Sequence, residues 1–574
     1  MTRSVDGIPR KYRSAQEMSA LRRDVEGQMR SLTSVSSHLD NPNKGTDMTL
    51  TLNDPLPSDD HHENTRLAGR TIPNATPVPL RRQAKPHRDQ AIDLLRFGCL
   101  VVVVILHSLM SAAVLGPGGA VEPTVALSNT AGFAAASWLF QIMPLFFIIG
   151  GYAGITGWRR TRARGGTWTD YLRARLRRLV VPVTVLIGLA GLGLSVAGEA
   201  GVSPDLLAEA SLRIGQPLWF LAVYVGLTAL VPVAVHFHET APRRSLASLA
   251  GAVIVVDSLV AVTGVTGLGY LNFLLVWPLV QQLGFFYADA LDRPVNRPIA
   301  WFVLVAALLT LVGLVSAGVY SPNMLVNLNP PTGALVLLGV VQMCGLRLGH
   351  ARLGRMLNAA DETTSTSTGE AALDPRVLRA QIWGRVIAWG NRYGMHVYLW
   401  HMSIVIVLIG GLGALAQVVS LVPGASELVL PEIGSSWWWA TRLPWLIAVM
   451  VLSGLVAMAA ERIPFPSEQR LAAVGRVIAE IAREVRGRET HEQGSAASHV
   501  DADGVAPAVS RAGADGLTPA VGRPRLQAAV AVGAATAGIA VALLVGIAPL
   551  IWTFVAIGLL MASLTVSAGL TSRG

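Results

Sequence analysis

The chain has 574 residues, of which 52% are hydrophobic and only 14% charged, against about 25% charged in an average soluble domain. So few charges cannot cover a water-facing surface, and the apolar residues gather in blocks of about 20, which excludes a string of soluble domains and predicts an all-α polytopic membrane protein. The formal charge of +10 comes from Lys and Arg gathered between the blocks, a mark of topology rather than of nucleic-acid binding, and the two cysteines, Cys99 and Cys344, lie inside apolar blocks, so a disulfide framework or Cys-rich metal site is excluded.

In chain order, residues 1–87 are polar and rich in Ser, Thr, Asn, Asp and Pro, too poor in apolar surface to offset chain ordering, and are expected to form a disordered cytoplasmic tail. Residues 88–462 then hold ten apolar spans, at about 91–114, 133–157, 179–198, 215–235, 247–267, 271–290, 299–319, 332–349, 386–415 and 443–461. The connection after the second span carries Arg159, Arg160, Arg162, Arg164, Arg173, Arg175, Arg177 and Arg178, and later even-numbered connections carry Arg243 and Arg244, then Arg293 and Arg297, then Arg347, Arg352, Arg355, Arg376 and Arg379. Odd-numbered connections hold almost none. This alternation places the amino terminus and every even connection in the cytoplasm.

Residues 463–524 read as a cytoplasmic amphipathic helix and linker. Leu471, Val474, Ile478, Ile481 and Val485 recur at helical spacing among arginines, which suits a helix on the inner leaflet or an ordinary solvated one. Residues 525–570 are apolar and broken at Pro549, predicting a C-terminal transmembrane hairpin, with one long tilted span as the alternative. The linker sets that hairpin apart as an accessory, and an even span count returns the carboxyl terminus to the cytoplasm.

The first span contains Asp93, Arg96 and His107. Ionisable groups are costly at membrane depth and usually face a protein interior or an aqueous cavity. Eleven residues at about 100° each come within some 20° of three full turns, so Arg96 and His107 share one face, with a rise of roughly 16 Å between them. With the hydrocarbon region starting near Phe97, His107 is expected near the midplane, and Asp93 can pair with Arg96. The plainer readings are snorkelling of Asp93 and Arg96 at the edge and a helix-packing hydrogen bond for His107. Tyr398 and His401 lie three residues apart on one face of the ninth span, where a cavity role is expected, and Trp219 at a span entrance also reads as an interfacial anchor. Asp257 stands in apolar surroundings without an obvious partner.

The Arg96-x10-His107 spacing resembles the signature of the membrane-bound acyltransferase family 3, which moves acyl groups onto cell-envelope carbohydrates, lipids and other acceptors. Further elements follow in the family's order. MPLFFIIGGYAG resembles "plFffisGy", with Gly150 where Ser is common; YLRARLRRLVVP resembles an Arg-x-x-Arg element through Arg175 and Arg178; QPLWFLAVY resembles "lWFL" at Trp219. GNRYGMHVYLWH is similar to "ySlyiYllH" through Tyr398 and His401, with Gly394 and His396 in place of its Ser and second Tyr.

The resemblance implies an integral membrane O-acyltransferase with acyl-CoA, acetyl-CoA included, as co-substrate and no bound cofactor or metal. Its acceptor would be a hydroxyl of an envelope glycan or glycolipid. Imidazole suits the task of taking the hydroxyl proton near neutral pH, which makes His107 the expected general base. Guanidinium suits phosphate, so Arg96, Arg175 and Arg178 are expected to hold the donor, although the last two also read as positive-inside anchors. Asp93, Trp219, Tyr398 and His401 are expected around the acceptor or cavity. Membrane lipids are the expected surroundings, with the plasma membrane as location. The rival class is a transporter or flippase whose path Asp93, Arg96, His107, Asp257 and His401 would line.

Overall fold

The computed structural model describes residues 89–570, apart from 117–118, 128–129, 131, 364–374, 479, 482–483 and 485–522. The expected tail at 1–87 and most of the 463–524 linker therefore lie outside the described residues. Among those described, twelve helices are long and apolar enough to cross a membrane, in agreement with ten core spans and a hairpin.

Helix α1 (Gln90–Met110) starts where the Asp89 carboxylate accepts hydrogen bonds from the Ala91 and Ile92 amides at 3.1 and 3.2 Å, satisfying donors that the first turn leaves open. It ends at Met110 because Ser111 turns extended and begins an antiparallel hairpin of β1 (Ser111–Leu115) and β2 (Val121–Val125). His107 thus lies in the last turn of α1, closer to its end than the midplane placement expected from the length of the apolar block. The block's small tail residues, Ser111 to Ala113, form sheet instead of helix.

After the short α2 (Phe133–Phe140), α3 (Met143–Ala163) and α4 (Trp168–Glu199) are joined by only four residues, 164–167, so most of the arginine-rich connection is helical. A capping box between Thr167 and Asp170 starts α4 there. The next elements are α5 (Pro204–Gly215), α6 (Leu218–Thr240) and α7 (Pro242–Thr263), a 3-10 segment (Thr266–Leu274), then α8 (Val276–Ala290), α9 (Arg297–Ser316) and α10 (Gly333–Thr363). They are followed by α11 (Pro375–Val419), the short α12 (Ala425–Val429) and α13 (Ser436–Glu461). Residues 468–478 are helical, with Leu471 buried and Val474, Val477 and Ile478 exposed. The chain closes with α14 (Arg523–Leu544) and α15 (Leu550–Ala568).

The span made of the 3-10 segment and α8 is 61% buried, whereas those of α7 and α9 are 11% buried, so α8 is central and α7 and α9 turn most of their surface outward. Gly151 and Gly284 let α3 and α8 meet backbone to backbone: a Cβ on either would run into the Gln281 or Ile148 carbonyl of the other helix. The C-terminal hairpin belongs to the same apolar cluster as the core. Ala528, Ala531, Ala535, Ile539 and Ala542 are fully buried, and the Ile547 amide donates to Ser211 Oγ of α5 at 2.6 Å.

The end of α3, the end of α6 and the end of α8 meet through Arg159, which pairs with Glu239 at 3.0 Å and Asp289 at 2.6 Å. Asp89 and His350 bring the start of α1 to α10 at 3.4 Å, and Arg392 and Glu461 join α11 to the end of α13 at 3.0 Å. The even-numbered connections therefore share one arginine-rich face, while the β1–β2 hairpin is on the other.

Candidate functional site

α1 and α11 pack closely because α11 carries glycines where α1 carries bulk. A Cβ on Gly390 would stand 2.6 Å from the Phe97 ring, and one on Gly394 would stand 3.0 Å from Leu100 Cδ1. Gly150, another departure from the family pattern, leaves the same kind of room for Tyr224. This approach brings His107 and His401 into contact: Nδ1 of His107 lies 2.8 Å from Nε2 of His401, with the rings nearly parallel at 9° and 5.1 Å between centroids.

His401 is fully buried, and its Nδ1 lies 2.6 Å from the carbonyl oxygen of Tyr398 one turn back. That carbonyl can only accept, so Nδ1 of His401 donates. With both rings neutral, Nε2 of His401 is then an acceptor and Nδ1 of His107 its donor. Nε2 of His107 is left unprotonated, the state a general base requires. The proton positions follow from the hydrogen-bond partners.

Tyr398 is tied down at its other end, where its hydroxyl donates to the Pro217 carbonyl at 2.6 Å, just before α6. Its ring meets Phe220 edge-on, and Phe220 in turn meets Phe146 and Phe147 of α3. Trp219 packs within this cluster against Phe220, Phe273 and Trp277, a more enclosed position than that of an interfacial anchor. The sequence elements around Phe146, Trp219 and Tyr398 thus converge next to the histidine pair. Trp277, stacked on Phe147 at 4.4 Å, was not singled out from the sequence. Its Nε1 is buried without a partner among the described residues, and a tryptophan inside an apolar span beside Gln281 and Gln282 was the signal that could have found it.

The expected donor-binding residues are placed differently. Arg96 makes no hydrogen bond or ion pair with a described residue, so the Asp93–Arg96 pair allowed by their spacing is not formed. Arg175 donates to the Ala153 carbonyl at 3.1 Å and stands over the Tyr171 ring at 5.3 Å, holding α3 to α4. Arg178 is exposed, and both it and Asp93 have interaction partners.

Asp257 has three partners where the sequence offered none. It accepts from Asn272 Nδ2 at 2.7 Å, the Tyr320 hydroxyl at 2.7 Å and the Gly333 amide at 2.8 Å, joining α7, the 3-10 segment and the start of α10. Burial, followed by this carboxylate, pushes the Tyr320 phenol well above its ordinary range. Three donors aimed at one carboxyl group make Asp257 a structural tie.

Twelve membrane-length helices among the described residues, with a contact between the partly buried His107 and the buried His401, define a polytopic membrane protein with an internal polar site. The acyltransferase domain model of acyltransferase family 3 matches residues 89–462, and the chain belongs to that family. No curated protein and no solved structure matches the chain. The Arg96-x10-His107 pair and the elements that follow it all fall inside the matched region.

Proposed function

We propose that this membrane acyltransferase is an O-acyltransferase that takes an acyl group from cytoplasmic acyl-CoA, acetyl-CoA included, and places it on a hydroxyl of a cell-envelope glycan or glycolipid. The observation that carries this reading is the directed chain from the Tyr398 carbonyl through His401 to His107. Nε2 of His107 takes the hydroxyl proton as the oxygen attacks the thioester carbonyl. The tetrahedral intermediate collapses, the C–S bond breaks, and the imidazolium returns the proton to the thiolate leaving group. His401 acts through its hydrogen bond: it fixes the His107 tautomer and shares the positive charge that forms. Arg96, Arg175 and Arg178 act on the donor's phosphates, and Asp93, Trp219 and Tyr398 shape the acceptor side. The chain resides in the plasma membrane among its lipids, with both termini and the arginine-rich face cytoplasmic, as the asymmetry of positive charge supports.

Mass profiling of envelope glycans and lipids tests the reading in cells expressing the wild type, His107→Ala or no copy. The expected result is an ester mass that appears only with the wild type. Redistribution of an unmodified lipid between leaflets, with no change in ester content, would overturn it in favour of a flippase.

A further inference from the structure

The arginine-rich face contains a cavity of about 590 Å³, within the range of small-molecule sites, and it is formed by residues outside the family-like elements. Its walls come from the ends of α6 and α8, the residues just after α8, and α10: His238, Phe286, Tyr287, Arg293, Met343 and Arg347, with Glu239 and Asp289 at its edge.

The charges there do not cancel. Glu239 and Asp289 are already paired with Arg159 and Arg162, which leaves Arg293 and Arg347 in excess. Arg347 is held at the wall, donating to the Arg293 carbonyl at 3.0 Å and lying 5.9 Å from the Tyr287 ring centroid. Arg293 has no ion pair with a described residue and its side chain is exposed.

His238 is part of the cavity wall. Its side chain is 2% exposed, its Nε2 lies 3.0 Å from Asp289 Oδ2, and its Nδ1 is buried without a partner among the described residues. The cavity thus offers two guanidinium forks beside the aromatic walls of Phe286 and Tyr287, which together suit a phosphorylated nucleoside.

We propose that this cavity holds the adenosine 3′-phosphate end of the acyl-CoA donor, with Arg293 and Arg347 on the 3′-phosphate and the adenosine against Phe286 and Tyr287. The proposal rests on acyl-CoA being the donor. The cavity joins the proposed catalytic helix directly: the Tyr287 hydroxyl donates to Nδ1 of His350 at 2.6 Å, and Nε2 of His350 faces Asp89, the cap of α1, at 3.4 Å. From there Arg96 lies two turns along α1, placed for the diphosphate, with His107 beyond it.

Calorimetric titration of the full-length protein in nanodiscs with CoA and with 3′-dephospho-CoA tests this assignment. The wild type is expected to bind CoA roughly tenfold or more tightly than dephospho-CoA, the worth of one charge-assisted contact. In Arg293→Gln that preference should vanish while dephospho-CoA affinity stays at the wild-type level, which also reports an intact fold, and Arg293→Lys should recover part of it. A wild-type preference that survives in Arg293→Gln overturns the site but leaves the acyltransferase reading standing. Absence of CoA binding in the wild type, together with absence of ester formation, overturns both.

Discussion

Two imidazoles in contact, one of them held by a carbonyl, settle on a single arrangement of protons, and that arrangement gives the two rings unequal roles. His107→Ala removes the proposed base and is expected to lower kcat by about 10²- to 10⁴-fold. His401→Gln keeps a side chain able to meet Nδ1 of His107 and is expected to lower kcat by less, with KM for the donor unchanged in both. Arg96→Lys should do the reverse, raising KM for the donor with kcat retained, because an ammonium cannot reproduce the guanidinium fork. Steady-state kinetics on purified protein distinguishes the three. Asp257→Asn concerns the fold instead: an amide cannot accept from Asn272, Tyr320 and Gly333 at once, and about 2–3 kcal/mol of stability should be lost, read as a lower unfolding temperature in detergent. The ionisable residues of α1 and α11 were legible in the sequence, since charge and imidazole are conspicuous among apolar neighbours. The partners of Asp257 were not, because Tyr320 and Gly333 belong to segments far along the chain.

At the scale of helices, glycine decides which pairs can approach. Gly390 and Gly394 are the reason α11 reaches α1; Gly394 stands out in the sequence only as a departure from the family pattern, and Gly390 not at all in a chain with 57 glycines. Gly390→Val places two methyl groups against Phe97 and is expected to separate His107 from His401, so activity should fall by tenfold or more while the protein still inserts and purifies. Cross-linking between cysteines introduced on α1 and α11 should weaken in parallel. Helix number and order could be read from blocks of apolar residues, but ends could not. α1 stops early because residues 111–115 and 121–125 find strand partners in each other, a pairing that hydropathy does not record. α4 starts early because Thr167 and Asp170 cap it, so a segment that charge alone assigns to a loop becomes helix.

Among the described residues there are twelve membrane-length spans, of which the last two pack against α4, α5 and α6 and complete the apolar core. Their separation by the linker is a feature of sequence distance only, and an alanine-rich face gives little hint of the surface it meets. Truncation after residue 490 should expose the surfaces of α4 and α6 that α14 and α15 cover, lowering the thermal unfolding temperature by several degrees. Because the histidine pair lies on α1 and α11, turnover per folded molecule should persist, and a truncated protein that unfolds at the wild-type temperature would refute the structural role of the hairpin. The link from Asp89 to His350 has a different consequence for the molecule. The same carboxylate caps the helix that presents His107 and meets the residue that anchors the cavity wall at Tyr287, which gives the proposed nucleotide site and the proposed catalytic end of α1 one shared contact through which a coupling free energy can pass. Linkage makes that energy reciprocal: whatever factor a bound nucleotide adds to affinity for an acceptor near His107, the acceptor returns to the nucleotide. Asp89→Ala should bring that factor towards one, leaving two sites that fill independently.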